Sequence, residues 1–202
     1  MRSMTGLVAI ALFLSAGCHD QGTVASAPPA ENRVSNGLGS NTAAQVTLTL
    51  TSPGFAADAA MPAKYSCEGQ NLSPPLAWSG APPSTKSLAL IVQDPDAPDP
   101  DLPTKVVTHW VVYNLPPSSA AISEGGSDLP AGAEQAKNEK GDNGYMGPCP
   151  PKGRHRYFFK LYALDTVLHE LSGPGEKEIE QAIQGHVLGT GELVGTYQKG
   201  AG

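Results

Sequence analysis

The chain is expected to fold as a mainly β protein with a few peripheral helices. Three observations carry that expectation. Glycine (23) and proline (19) make up about a fifth of the 202 residues, and both interrupt helices. Five segments have the composition and periodicity of strands. Clear helical periodicity shows only late in the chain, and strands do not alternate with helices as βαβ units require.

The strand segments justify themselves in order. QVTLTLTS (45–52) alternates Val46, Leu48 and Leu50 against threonine, the period of a half-buried strand. SLALIVQD (87–94) is a continuous apolar run, as in a strand covered on both faces. THWVVYNL (108–115) and RYFFKLYALD (156–165) are aromatic and β-branched, and ELVGTYQK (192–199) closes the chain. The segments 73–85 and 147–153 lie between them, and their prolines argue against regular pairing there. EKEIEQAIQGHV (176–187) reads as a helix with Ile179, Ala182, Ile183 and His186 on one face and acidic residues at its N-terminus. TVLHEL (166–171) reads as a short helical turn.

The first 44 residues read differently. Arg2 and the apolar run GLVAIALFLSAG form an export signal that is short for a membrane span. Small residues then precede Cys18, the pattern of a bacterial lipoprotein signal over 1–17, with lipid carried on Cys18. Ser15 stands where that pattern usually has leucine, so an ordinary secretory signal is the alternative. Both export the protein, either onto a membrane facing the periplasm or cell exterior or as a soluble periplasmic or secreted form. Residues 18–44 have almost no large apolar side chain and read as a flexible tether, leaving 45–202 as the folded domain.

Composition narrows function. Hydrophobic residues are 40% and charged residues 16%, enough for a core and too few charges for a disordered chain. A net charge of −6 leaves no basic footprint for nucleic acid or for an anionic lipid surface, so any anion site must be local. Cys67 and Cys149, two thiols in an exported domain, are a disulfide candidate; two separately buried thiols are the alternative.

Three stretches have the residue types of a binding site. DPDAPDP (94–100) begins at the end of a buried strand, and its prolines fix the direction of its carboxylates. That favours Asp94 and Asp96 as site residues, with Asp99 and Asp101 expected in solvent. His109 opens the next strand; if the two strands are antiparallel neighbours, Asp94 and His109 share one sheet edge. Further on, a rigid Gly/Pro loop runs into His155, Arg156 and Tyr157. Strand alternation points His155 and Tyr157 together into a pocket and turns Arg156 away toward an ion pair. Gly147 and Gly153 permit close approach of the backbone to a ligand.

The motifs DPDAP (94–98), HWVVYNLP (109–116) and GPCPPKGRHRYFFKLYALD (147–165) resemble those of the phosphatidylethanolamine-binding protein family, in its bacterial Raf-kinase-inhibitor-like branch. The likeness covers about 45–199. It implies an antiparallel β-sandwich with a small anion-binding pocket at one end, lined by Asp94, His109, His155 and Tyr157. The family pocket also uses a backbone amide of the Gly/Pro loop, for which Gly147 is the candidate here. The resemblance further suggests a homodimer.

Donors from two imidazoles, a phenol and an amide suit a phosphate-like anion or a phospholipid headgroup, with no cofactor and no catalysis. A regulatory or inhibitory role fits such a protein. One alternative is a hydrolase using Asp94, His109 and His155 as metal ligands or as acid and base, although compact metal-binding spacings and a GxSxG elbow are both absent from the sequence. Another is a protein-interaction or protease-inhibitor module presenting the loops 73–85 and 95–103.

Overall fold

The structure, a computed structural model, describes residues 45–126 and 128–200. The export signal, Cys18 and the tether up to 44 lie outside those residues.

The described residues form nine strands: β1 (Val46–Thr47), β2 (Thr49–Thr51), β3 (Leu76–Ser79), β4 (Ser87–Ala97), β5 (Lys105–Leu115), β6 (Ala121–Ile122), β7 (Glu134–Gln135), β8 (Arg154–Leu164) and β9 (Val187–Gln198). One α-helix, α1 (Glu176–Ile183), and a 3-10 turn at Ala63–Tyr65 complete the set. The larger sheet runs β1-β9-β8-β4-β5-β7 and the smaller β2-β3-β6.

β4 shows how these residues build two cores. Leu88, Leu90 and Val92 face one way, into a cluster that includes Leu50, Trp78 and Ile122 of the smaller sheet. Ala89 and Ile91 face the other way, into a cluster with Ile179 and Ile183 of α1. Covering both faces explains the unbroken apolar run, and each buried large side chain contributes about 1.5–3 kcal/mol relative to exposure.

Several sequence expectations need correction. The first strand is split at Leu48. β1 joins the larger sheet and β2 the smaller, and β1 pairs with β9 in parallel, an exception to the expected antiparallel order. The proline-rich stretch 73–85 does hold a strand, β3, because its prolines flank Leu76–Ser79 rather than interrupt it. The helix stops at Ile183. Gly185 has φ +79°, and His186 leaves the helix to meet Asp165 at 2.7 Å. Residues 166–171 form no helical turn; Thr166 and Glu170 are bends in an otherwise irregular segment.

β9 begins five residues earlier than the sequence suggests, at Val187 rather than Glu192. Its glycines are there for clearance, not for a loop. A Cβ on Gly189 would lie 2.6 Å from the Val46 carbonyl oxygen, and one on Gly191 2.8 Å from that of Leu48.

Candidate functional site

β4, β5 and β8 are neighbours in the larger sheet and bring their site residues to one rim. On β4 the period that turns Leu88, Leu90 and Val92 inward also turns Asp94 inward. On β8 the same period links His155 and Tyr157 with Phe159 and Leu161.

β5 requires a break in period. Strict alternation would send His109 to the outer face with Val111 and Tyr113. Instead Val92 pairs with Trp110 and Gln93 with Thr108, so His109 is the extra residue of a β-bulge. His109 therefore shares the inner side with Trp110, and its ring meets Tyr157 edge-on at a centroid distance of 5.1 Å. Thr108 keeps to the outer side, where its hydroxyl donates to Glu176 of α1.

A cavity of about 550 Å³ opens at this rim, with Asp94, His109 and His155 in its wall beside Pro98, Met146 and Cys149. Tyr157 packs against His109 just outside the lining. Three of the four expected residues thus line one space, and the fourth touches it through an aromatic contact.

Hydrogen bonding assigns each group a part. Asp94 Oδ1 accepts the Asp96 amide N–H at 2.8 Å, and Oδ2 meets His155 Nδ1 at 2.7 Å. His155 Nε2 faces the Lys152 carbonyl at 3.1 Å. Both ring nitrogens face acceptors, and both side chains are buried. Asp94 therefore orients His155.

His109 differs. Its Nδ1–H donates to the Met146 carbonyl at 2.5 Å, and the Met146 N–H returns a bond to the His109 carbonyl at 2.8 Å. The neutral ring then has a bare Nε2. That atom and the Tyr157 hydroxyl are buried and without partners. Leaving such groups unpaired costs about 1–3 kcal/mol each. Burial lowers the His109 pKa below its usual value, against weaker opposing pulls from the Met146 carbonyl and Asp94. Burial, reinforced by the charge of the nearby Asp94 carboxylate, which faces the hydroxyl without reaching hydrogen-bond geometry, pushes the Tyr157 hydroxyl far up. Both groups are neutral at pH 7.

Two expected site residues are employed otherwise. Asp96 turns to β8, where its carboxylate accepts from the Arg156 backbone N–H at 2.8 Å and from the guanidinium at 2.9 and 2.7 Å. The register shift between Asp94 and Ala97 frees it for this, and its side chain takes over where the β4–β8 ladder ends at Gln93. The guanidinium bonds hold the Asp96 carboxyl below its ordinary value.

Gly147 lines the cavity, but its N–H donates to Asn71 Oδ1 at 2.8 Å and is not free for a ligand. Its small size serves packing, since a Cβ would sit 2.5 Å from that oxygen and 2.6 Å from the Tyr65 carbonyl oxygen. Pro148, Pro150 and Pro151 have no N–H, so Cys149 supplies the remaining amide of 147–151. Asp99 is not simply solvated: it pairs with Lys152 at 2.5 Å.

Cys67 and Cys149 are joined, with sulfurs 2.06 Å apart, and both line the cavity. The bridge fastens the Gly/Pro loop to the turn after Tyr65, beside the Cys67 N–H to Pro148 carbonyl bond of 3.0 Å. Sequence reasoning missed Lys105, Val107, Lys140 and Asn71, which also line the cavity. Counting back by twos from His109 finds Lys105 and Val107. No local pattern marks Asn71 or Lys140.

A mainly β domain with a cavity at one end of its larger sheet, its largely apolar wall carrying Asp94, His109 and His155, is the class that fold and site define. The model of the family described as phosphatidylethanolamine-binding protein matches residues 51–198. A UPF0098 protein of Methanothermobacter thermautotrophicus is 51% identical over 143 residues, 69% of this chain and 91% of the relative. A solved phosphatidylethanolamine-binding protein homologue from Chlamydia trachomatis is 43% identical with a TM-score of 0.70, covering 76% of this chain and 98% of its own. E. coli YbcL is 32% identical with a TM-score of 0.68 over 75% and 98% of the two chains. The chain belongs to the phosphatidylethanolamine-binding protein family.

Proposed function

We propose that this protein is an exported binding module, not an enzyme, and that its cavity takes a phosphate-like anion or a phospholipid headgroup. One observation carries the reading: His109 Nε2 and the Tyr157 hydroxyl are buried beside the cavity without partners. A phosphate-like group pairs both. Its oxygen accepts from the Tyr157 O–H, and a P–O–H donates to Nε2, or Nε2 takes up a proton and donates to the anion. His155, held by Asp94, keeps the wall in place, and the disulfide holds the facing loop.

The donor set favours binding over metal-assisted hydrolysis. A metal needs free lone pairs, and both nitrogens of His155 are engaged by Asp94 and Lys152. The shared core of the two sheets supports the sandwich arrangement expected of the family. The pattern before Cys18 supports attachment to a membrane through lipid, with the segment 18–44 as the tether.

The test is calorimetric titration of the purified protein and its His109→Ala variant with phosphate and with phosphoethanolamine. Wild type is expected to bind, and the variant to bind about 10–100-fold more weakly, the worth of a charge-assisted hydrogen bond. Equal affinity in the two proteins would overturn the reading.

A further inference from the structure

Five ionisable side chains line the cavity: Asp94, Lys105, His109, Lys140 and His155. Four of them are engaged or neutral. Asp94 and His155 are paired with each other at 2.7 Å, burial holds His109 neutral, and Lys105 is paired with Glu139, 2.9 Å away. The remaining group is Lys140, which makes no ion pair among the described residues.

Its backbone is held firmly. Lys140 lies in a tight turn organised by the buried Asn138, whose Oδ1 accepts the N–H of Lys140 at 2.9 Å and that of Asp142 at 3.3 Å. The Asn138 side-chain amide donates to the Gly144 carbonyl, and the Glu139 N–H donates to the Thr108 carbonyl beside His109. The turn is thereby fastened to the strand that carries His109, and the lysine stands at the cavity on a fixed base.

We infer that Lys140 is a specificity-determining residue that makes the pocket select phosphate groups of net negative charge over zwitterionic ones such as a phosphoethanolamine diester. The inference rests on the anion-pocket reading above and deepens it. The hydrogen-bonding groups His109 and Tyr157 recognise the phosphate oxygens that both ligand types share. Lys140 adds one positive charge that only a net anion uses in full, because the ammonium of a zwitterion brings like charge to the same mouth. Lys140 is solvent-exposed, so the preference is modest and salt-sensitive.

Two soluble diesters isolate the charge: glycerophosphoglycerol, a net anion, and glycerophosphoethanolamine, a zwitterion. Titrated into the purified protein at low salt, the anion is expected to bind about fivefold more tightly. Lys140→Gln should remove that preference by weakening the anion alone. Lys140→Arg should retain it, and added salt should shrink it. Equal binding of both ligands by wild type, or equal weakening of both by Lys140→Gln, overturns the selectivity while leaving the pocket intact. Failure of both ligands to bind, or undiminished binding of both by His109→Ala, removes the pocket reading and this inference with it. A vesicle arm separates the sources of the group. Retention on phosphatidylglycerol vesicles that glycerophosphoglycerol displaces supports a lipid headgroup, and tight binding of the soluble diester without vesicle retention supports a free phosphoester. Both results leave the charge rule standing.

Discussion

At the scale of single residues, the site separates groups that hold from groups that wait. Asp94 and His155 hold each other, and Asp96 and Arg156 do the same two residues further along β4 and one along β8. His109 Nε2 and the Tyr157 hydroxyl have nothing to hold. Tyr157→Phe tests this directly. It removes an unpartnered hydroxyl, so the free protein should keep its stability within about 1 kcal/mol or gain slightly, while anion affinity falls about five- to tenfold. Denaturant unfolding and calorimetry on the same variant check both halves. A large loss of stability with unchanged affinity would assign the hydroxyl to the core instead. Much of this was legible in the sequence: two-residue alternation gave His155 and Tyr157 one direction and Arg156 the other. Asp96 was misread because a carboxylate two residues from Asp94 looks equivalent until the register shift sends it to β8.

At the scale of elements, irregularities place the chemistry. The bulge at His109 turns a ring inward that a regular strand would turn outward. No local sequence pattern announces the bulge, because it arises from how β5 pairs with β4. The split of the first strand at Leu48 was hidden for a similar reason, since threonine and leucine alternate through it without a break. The Gly/Pro loop is the third irregular element, and Gly147 is its tightest point. Gly147→Ala should cost about 1–3 kcal/mol through overpacking against Asn71 and Tyr65. It should also weaken anion binding, because Met146, next to it, fixes His109. Thermal unfolding and titration read the two effects, and an unperturbed variant would show that the loop is slack. The disulfide closes a longer span, with a sequence separation of 82. Its loss in Cys67→Ser/Cys149→Ser should destabilise by about 4–5 kcal/mol in the chain-entropy model. A denaturation midpoint unchanged by that double substitution would mean the bonds around Asn71 and Pro148 suffice.

At the scale of the molecule, one mainly β domain joins three strand ends from distant parts of the sequence around one cavity. The strand composition and the late helix made the class legible, and the long motifs made the family legible. The pairing order β9-β8-β4-β5 was not, because every one of those strands has apolar residues to offer either neighbour.

Proton uptake is where fold and function meet. Burial holds His109 neutral in the folded state at pH values where the unfolded chain is protonated. Its folded pKa is depressed, so its contribution to stability is full above about pH 6.5 and declines as pH falls below that value. An anion at Nε2 reverses the preference and raises the pKa. The most direct measurement is an NMR titration of the His109 ring from pH 5 to 8, with and without saturating sulfate, an anion with no proton to donate in this range. The expected result is a midpoint below 6.5 in the free protein and a clear upward shift with sulfate, with binding that tightens as pH falls. A His109 midpoint that sulfate leaves unmoved would contradict an anion pocket at this rim.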